Sequence, residues 1–234
     1  MLLSSDTFPI KIAQNHKNMP RKKLADLRKD YSKKQLDITE VVDNPIEQFK
    51  VWFAEAQKSK VPEPNAMTLA TATPDGIPSA RIVLLKDLNE NGFIFYTNYK
   101  SHKGKELAKN PNAALVFCWL GLERQVRIEG TIKKVSRNNS KTYFQSRPKK
   151  SQMGAWVSSQ SKVIKDRSVL EENMADLEKK YKNDDVLPCP PQWGGYQLEP
   201  KVVEFWQGRR SRLHDRIQYK LLKSGKWKIQ RLAP

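Results

Sequence analysis

The chain has 234 residues, 43 of them Lys or Arg against 25 Asp or Glu, for a formal charge of +18, and 38 % of it is hydrophobic. That length supports a sizeable core without disulfides or a structural metal, and no apolar run approaches the ~20 residues of a membrane-spanning helix, so a helical membrane protein is excluded. Cys118 and Cys189 make no disulfide framework, and the opening residues lack a charged segment leading into an apolar one, so a cytoplasmic chain is expected.

Residues 1–20 are polar and without periodicity and read as a mobile tail. The charged stretch 21–36 has few apolar anchors for a helix and is expected to order only on docking. Asn44-Pro45-Ile46-Glu47 is a helix start, and Ile46, Phe49, Trp52 and Phe53 recur at helical spacing, which predicts an amphipathic helix over 45–58. Three strands follow, MTLATAT, ARIVLLK and FIFYTN, separated by Pro74-Asp75-Gly76 and Asn89-Glu90-Asn91-Gly92. A short helix is expected over 101–109, a buried strand over 113–120 and an alternating strand over 125–135. Residues 136–145 and 168–181 are helical candidates, and 186–195 is a rigid Pro-rich connection. Strands over 196–206, 212–222 and 227–232 close the chain. About seven strands with few short helices predict a mainly β, α+β protein, an antiparallel barrel with helices outside. Residues 1–43 are expected to be a flexible segment and 44–234 a single domain.

The charge is uneven. Residues 100–167 hold 16 basic and 4 acidic side chains, and 201–234 hold 10 and 2. Such regions imply an anionic partner, nucleic acid or small phosphorylated molecules, with a solvated lysine-rich surface as the alternative. The glycines build neither G-x-G-x-x-G nor a P-loop. His16, His102 and His214 have no metal-ligand spacing to the cysteines, so no metal is expected. No G-x-S-x-G and no RNA-binding aromatic strand motif are present.

What remains is anion binding. If Arg212-Leu213-His214-Asp215-Arg216 is extended, Arg212, His214 and Arg216 share one face about 6.6 Å apart, a site for a phosphorylated or electron-rich ring. A solvated edge strand is the alternative. In RIVLLK, Arg81 and Lys86 face opposite ways and reach two anionic groups, or simply snorkel from a buried strand. Tyr96, Thr97, Ser101, His102 and Lys103 gather hydroxyls, a lysine and helix N-terminal amides suited to a phosphate, although Ser101 also reads as a helix cap. Tyr143, Arg147 and Ser151 offer a second phosphate site, against a helix that merely ends at Pro148.

Taken together, VEFWQG shortly before RLHDR, preceded by RIVLLK, FYTN, LERQVRIEG, YFQSRP, GAWVSSQS and WGGY and followed by WKIQRLAP, resemble in the same order the pyridoxine/pyridoxamine 5′-phosphate oxidases. The resemblance runs from about residue 45 to 234. It implies an antiparallel split β-barrel homodimer with one FMN in each of two interface clefts. It also implies oxidation of pyridoxine 5′-phosphate or pyridoxamine 5′-phosphate to pyridoxal 5′-phosphate by hydride transfer from C4′ to flavin N5. O2 is then the acceptor, and H2O2 is released, with NH3 from the amine.

Carried onto this chain, the resemblance assigns Arg81, Ile82, Val83, Leu84, Leu85 and Lys86 to the flavin, with Tyr96, Thr97, Ser101, His102 and Lys103 on its phosphate and ribityl side. His102 stands where an Arg is common in the family. From the second subunit, Gln125, Gln160, Ser161, Trp206 and Arg216 enclose the ring system. Lys86, Tyr143, Arg147 and Ser151 take the substrate phosphate. Arg212 and His214 hold the pyridine ring as the catalytic pair, and Arg28 and Tyr31, in RKDY, cover the substrate. No membrane partner is implied. A flavin-binding split barrel without this activity and a basic nucleic-acid-binding protein are the competing readings.

Overall fold

The computed structural model describes residues 27 and 29–234, so the expected tail, Arg28 and the first part of the charged stretch 21–36 lie outside the described residues. The chain divides into two compact units, Met1–Asp30 and Tyr31–Pro234. Of the first, Leu27, Lys29 and Asp30 are described, and all are exposed. Residues 31–36 carry no helix.

The second unit opens its regular structure with α1 (Pro45–Lys58), as expected. The Asn44 side chain accepts from the amides of Ile46 at 2.8 Å and Glu47 at 3.4 Å, Pro45 occupies the first turn, and Lys58 complements the dipole at the other end. Ile46, Phe49, Trp52 and Ala56 form its buried face. Asn44→Ala is expected to lower unfolding stability by about 1 kcal/mol, read as a drop in urea midpoint at constant slope. An unchanged midpoint would show that packing alone sets the helix start.

Nine strands follow: β1 (Ala66–Ala72), β2 (Pro78–Leu84), β3 (Asp87–Asn89), β4 (Gly92–Asn98), β5 (Asn112–Trp119), β6 (Arg124–Lys134), β7 (Trp193–Gln207), β8 (Asp215–Leu221) and β9 (Trp227–Leu232). The short β3, which hairpins onto β4, is the strand the sequence pattern does not show. Every pair is antiparallel, in the order β2-β1-β5-β6-β7-β4-β3. β7 organises the sheet. Along one edge it pairs with β6, and along the other it pairs first with β4 through Trp193–Leu198 and then with β8 through Val202–Gln207. Pro200, which has no amide to donate, lies between the two partners. Opposite it the β6–β7 register shifts at Glu129/Gly130, and a Cβ on Gly130 would stand 2.0 Å from the Glu199 carbonyl oxygen, so only glycine fits there. Past the end of β2, the Lys86 amide donates to the Ile94 carbonyl at 2.8 Å and draws the two ends of the sheet together. The result is the expected mainly β, antiparallel split barrel with peripheral helices.

α1 closes this barrel. Phe49 lies 4.9 Å from Phe93, edge-on, and 4.8 Å from Phe117, within a core that includes Leu69, Phe95, Leu115, Val126, Ile128, Val203 and Phe205. The remaining helices are α2 (His102–Lys109), α3 (Arg137–Ser146), α4 (Lys149–Val157) and α5 (Ser168–Lys180). A second cluster of Phe144, Met153, Leu187 and Trp193 fixes α3 and α4 to the start of β7.

Three expectations need correction. The strand over 212–222 begins only at Asp215, because Arg210–Arg212 form a 3-10 turn in which Ser211 and Arg212 have φ of 55° and 61°. The alternation that would put Arg212, His214 and Arg216 on one extended face therefore does not exist. The Pro-rich connection ends earlier than expected, with Trp193–Gly195 already paired in β7. Finally, α4 has no counterpart among the expected helices. Its hold is tertiary: the buried Gln152 amide donates to the Gln145 and Arg147 carbonyls and accepts from the Leu187 amide.

Candidate active site

Between β2, β4, α3 and α4 lies a cleft of about 490 Å3. It gathers Ile82, Val83, Leu84 and Lys86 from the β2 segment, Tyr96 and Thr97 from β4, Lys103 from α2, Tyr143 from α3 and Arg147 just past its end, Ser151 from α4, and Gln160. Sequence positions from 82 to 160 thus converge on one concavity. Leu85 does not take part; it is buried in the barrel core, as alternation along a strand requires. Ser101 is fully buried, and its Oγ accepts from the Gly104 amide at 3.2 Å, so that hydroxyl is occupied in capping α2.

Lys86, Lys103 and Arg147 make no ion pair with a carboxylate among the described residues. Burial, followed by the positive charge of nearby Arg81, holds the Lys103 ammonium pKa below its ordinary value. Its Nζ lies 3.4 Å from Thr97 Oγ1 and 3.3 Å from Gln160 Oε1. Arg81 itself is clamped by Thr71, Ser79 and Glu106. Glu106 is 5 % exposed and also accepts from Thr71 Oγ1 at 2.6 Å, while His102 Nε2 lies 3.0 Å from its other oxygen. His102 thus leans on Glu106 at the cleft margin.

On the opposite wall, Tyr96, Tyr143 and Trp193 stack: Tyr96 is 4.0 Å from Tyr143 at 19° and 5.3 Å from Trp193 at 10°. The Arg147 guanidinium lies 4.9 Å above Trp193, and burial pulls its pKa below the ordinary value. Its Nη1 is buried without any hydrogen-bond partner among the described residues. A guanidinium so placed is a donor awaiting an acceptor, because an unmet buried donor costs about 1–3 kcal/mol. Burial also raises the Tyr143 hydroxyl pKa, so it remains a donor at neutral pH.

A second group of expected residues lies on the outer face of the sheet. Gln125, Trp206 and Arg216 are register partners across β6, β7 and β8 and form one row. Arg216 is set by a bidentate contact to buried Glu204, Nε at 2.8 Å and Nη2 at 3.1 Å, and donates through Nη1 to the Ala233 carbonyl. Beside Trp206, at 4.6 Å between ring centres, is His214, and Tyr31 stands edge-on to Trp206 at 5.8 Å. The Arg209 amide donates to His214 Nδ1 at 3.1 Å, which leaves the proton of the neutral ring on Nε2. Burial and then the Arg212 charge lower the His214 pKa, so the neutral ring prevails at pH 7. Arg212 and Ser161 are both exposed, each with φ above zero. Gln160, expected from a second subunit, here meets Thr97 and Lys103 of its own chain.

A profile of the pyridoxamine 5′-phosphate oxidase family matches residues 53–181, and one of the pyridoxine 5′-phosphate oxidase C-terminal dimerisation region matches 193–234. The pyridoxine/pyridoxamine 5′-phosphate oxidase of Trichormus variabilis is 57 % identical over 211 residues, which cover 90 % of this chain and 98 % of that one. The chain belongs to the pyridoxamine 5′-phosphate oxidase family. The oxidase of that name from Nostoc punctiforme is 59 % identical over 213 residues, 91 % of this chain and 99 % of its own. Among solved structures, PhzG from Burkholderia lata 383, in complex with tetrahydrophenazine-1-carboxylic acid, superposes with a TM-score of 0.79 at 32 % identity, covering 84 % of this chain and 95 % of that one. A pyridoxamine 5′-phosphate oxidase-related, FMN binding protein of Nostoc punctiforme shares the fold, with a TM-score of 0.65 at 18 % identity over 81 % and 97 % of the chains. Family membership makes the chain an oxidoreductase. Among the described residues no helix is long and apolar enough to cross a membrane.

Three residues around the candidate site escape motif reasoning. Glu106 and Glu204 carry no signal beyond their charge, yet each is buried and aims an arginine. Trp193, the platform under Arg147, was visible only as the first residue of WGGY.

Proposed function

We propose that the protein is an FMN-dependent oxidase of pyridoxine 5′-phosphate and pyridoxamine 5′-phosphate, working as a homodimer in the cytoplasm. Residues 44–234 form its FMN-binding domain, and residues 1–43 furnish a covering segment. The observation that carries this reading is the set of three cations, Lys86, Lys103 and Arg147, unpaired among the described residues and gathered inside one aromatic-walled cleft. FMN suits the residues present, because Lys103 and Thr97 form one anion-seeking group, with Arg81 close by in its ion pair to Glu106, while Arg147, Tyr143, Ser151 and Lys86 form another.

When bound, FMN would supply the acceptor for a hydride from the substrate C4′ and a route for its electrons to O2. The protein supplies position and charge. Lys103 and Arg81 hold the cofactor phosphate, with the α2 amides behind them. Arg147 and Lys86 take the substrate phosphate by charge, and the Tyr143 and Ser151 hydroxyls donate to it. The row Gln125, Trp206 and Arg216, presented by the second subunit, encloses the flavin ring. His214, neutral with its proton on Nε2, donates to the oxygen of the substrate ring, and Arg212 lies against the reacting carbon. Anchoring the substrate at its phosphate would hold its ring against the flavin, and such orientation lowers the barrier to hydride transfer by several kcal/mol, about 7–11 at best.

An absorption spectrum before and after anaerobic addition of pyridoxamine 5′-phosphate tests the reading. Flavin bands that bleach with substrate and return with air are expected. Bands that substrate leaves unchanged would favour a flavin binder, and a protein that takes up no FMN would overturn both. Lys103→Met is expected to raise the FMN Kd by about ten- to a hundredfold with kcat at saturating FMN preserved. An unchanged Kd would remove Lys103 from the phosphate site.

A further inference from the structure

We propose that Glu123 is a positioning residue of the oxidase, a latch whose carboxylate seats the segment 31–37 so that Tyr31 covers the substrate beside Trp206 and His214. The inference rests on the functional reading above and names a residue outside the machinery derived there.

Glu123 joins three parts of the chain. It lies between the Leu120–Leu122 3-10 turn and β6, and its carbonyl accepts from the Gly208 amide at 2.8 Å and from the Gln207 side chain at 3.2 Å, just past the end of β7. Its Oε2 accepts from the amides of Ser32 at 2.8 Å and Lys33 at 3.0 Å. The residue is 3 % exposed and has no cationic partner among the described residues. A buried carboxylate without an ion pair needs strong donors, and here the two amides of the segment provide them. Backbone conformation supports the same conclusion. Glu123 has φ of 57°, a region where glycine is comfortable and glutamate is not, so the position keeps a side chain at a conformational cost.

The two clasped amides directly follow Tyr31. That ring stands edge-on to Trp206 at 88° and 6.0 Å from His214. It also lies so close to Gly208 that a Cβ there would approach its ring carbon to 2.7 Å. Further along, the Leu36 amide donates to Asp215 Oδ2 at 3.0 Å, a second pin next to His214 in sequence. Because both pins grip backbone amides, they fix the path of the segment whatever its side chains are, and Tyr31 follows from that path.

Trypsin reads the latch directly, since Lys33 and Lys34 are cleavage points within the clasped segment. In the full-length FMN-loaded protein, Glu123→Gly removes the carboxylate and relieves the backbone. Cleavage after Lys33 and Lys34 is expected to quicken about tenfold, with the KM for pyridoxine 5′-phosphate raised about tenfold and the FMN Kd unchanged. Glu123→Gln keeps an acceptor oxygen without the charge and is expected to recover part of both effects. Cleavage of Glu123→Gly at the wild-type rate would overturn the latch, and faster cleavage with an unchanged KM would overturn its part in covering the substrate. A wild-type protein that binds FMN yet never turns over would remove the functional reading instead, and the cleavage ratio, which needs no turnover, would still decide the latch.

Discussion

Replacing Arg147 by alanine is expected to lower kcat/KM for pyridoxamine 5′-phosphate about a thousandfold, about 4 kcal/mol, with most of the loss in KM. The size follows from geometry. Arg147 is held from one side by the Trp193 ring at 4.9 Å and carries a buried Nη1 that no group among the described residues satisfies. A phosphate in the cleft would receive a charge-assisted hydrogen bond from a group already desolvated and already oriented, so little ordering is left to oppose binding. The same substitution should barely alter folding stability, because it removes an unmet buried donor along with the stacking contact. Loss of function without loss of stability separates a ligand-directed arginine from a structural one. Arg147→Lys keeps a charge but neither the planar fork nor the stacking, and should recover only a minor part of the activity. Steady-state kinetics beside urea unfolding make the measurement. A thousandfold loss matched by a collapse in stability would return Arg147 to a structural role.

Much of the frame that holds Arg147 is written locally in the chain. The Asn44 cap, the burial of Met67, Leu69 and Thr71 at every second position of β1, and the alternation along β6 are short-range patterns, and the elements formed where those patterns fall. The helix α4 was not legible, because its residues show no helical apolar period and its hold comes from Gln152, whose partners Gln145, Arg147 and Leu187 lie outside the helix. The turn at 210–212 was hidden for a different reason. RRSRLHDR has no apolar periodicity to choose between strand and turn, and its positive φ angles fall on Ser211 and Arg212 rather than on the glycine or asparagine that usually announces them. The candidate site divides in the same way. Ordered motifs pointed to the cations of the cleft and to the arginines around it, whereas the carboxylates that aim two of those arginines, Glu106 behind Arg81 and Glu204 behind Arg216, become visible only once segments distant in sequence are adjacent.

That turn leads to the other large effect. Arg212→Gln is expected to lower kcat by about a hundred- to a thousandfold while the FMN Kd stays within about twofold of wild type. Arg212 is exposed, unpaired with any carboxylate among the described residues, and held at φ 61°, so it contributes little to the fold that a glutamine would not. What glutamine cannot replace is a positive charge next to His214. Burial lowers the His214 pKa most, and the Arg212 charge lowers it further, because a second cation disfavours the imidazolium. Removing Arg212 therefore raises the His214 pKa. If the neutral ring, with its proton on Nε2, is the form that orients the substrate, activity falls as pH drops through that pKa. The acid limb of the kcat/KM profile should then move to higher pH in the variant. Loss of kcat with a shifted acid limb would tie the two residues into one substrate-holding pair. A fall in kcat with an unmoved limb would leave Arg212 acting on the substrate alone, and equal losses of kcat and FMN affinity would place it with the cofactor instead.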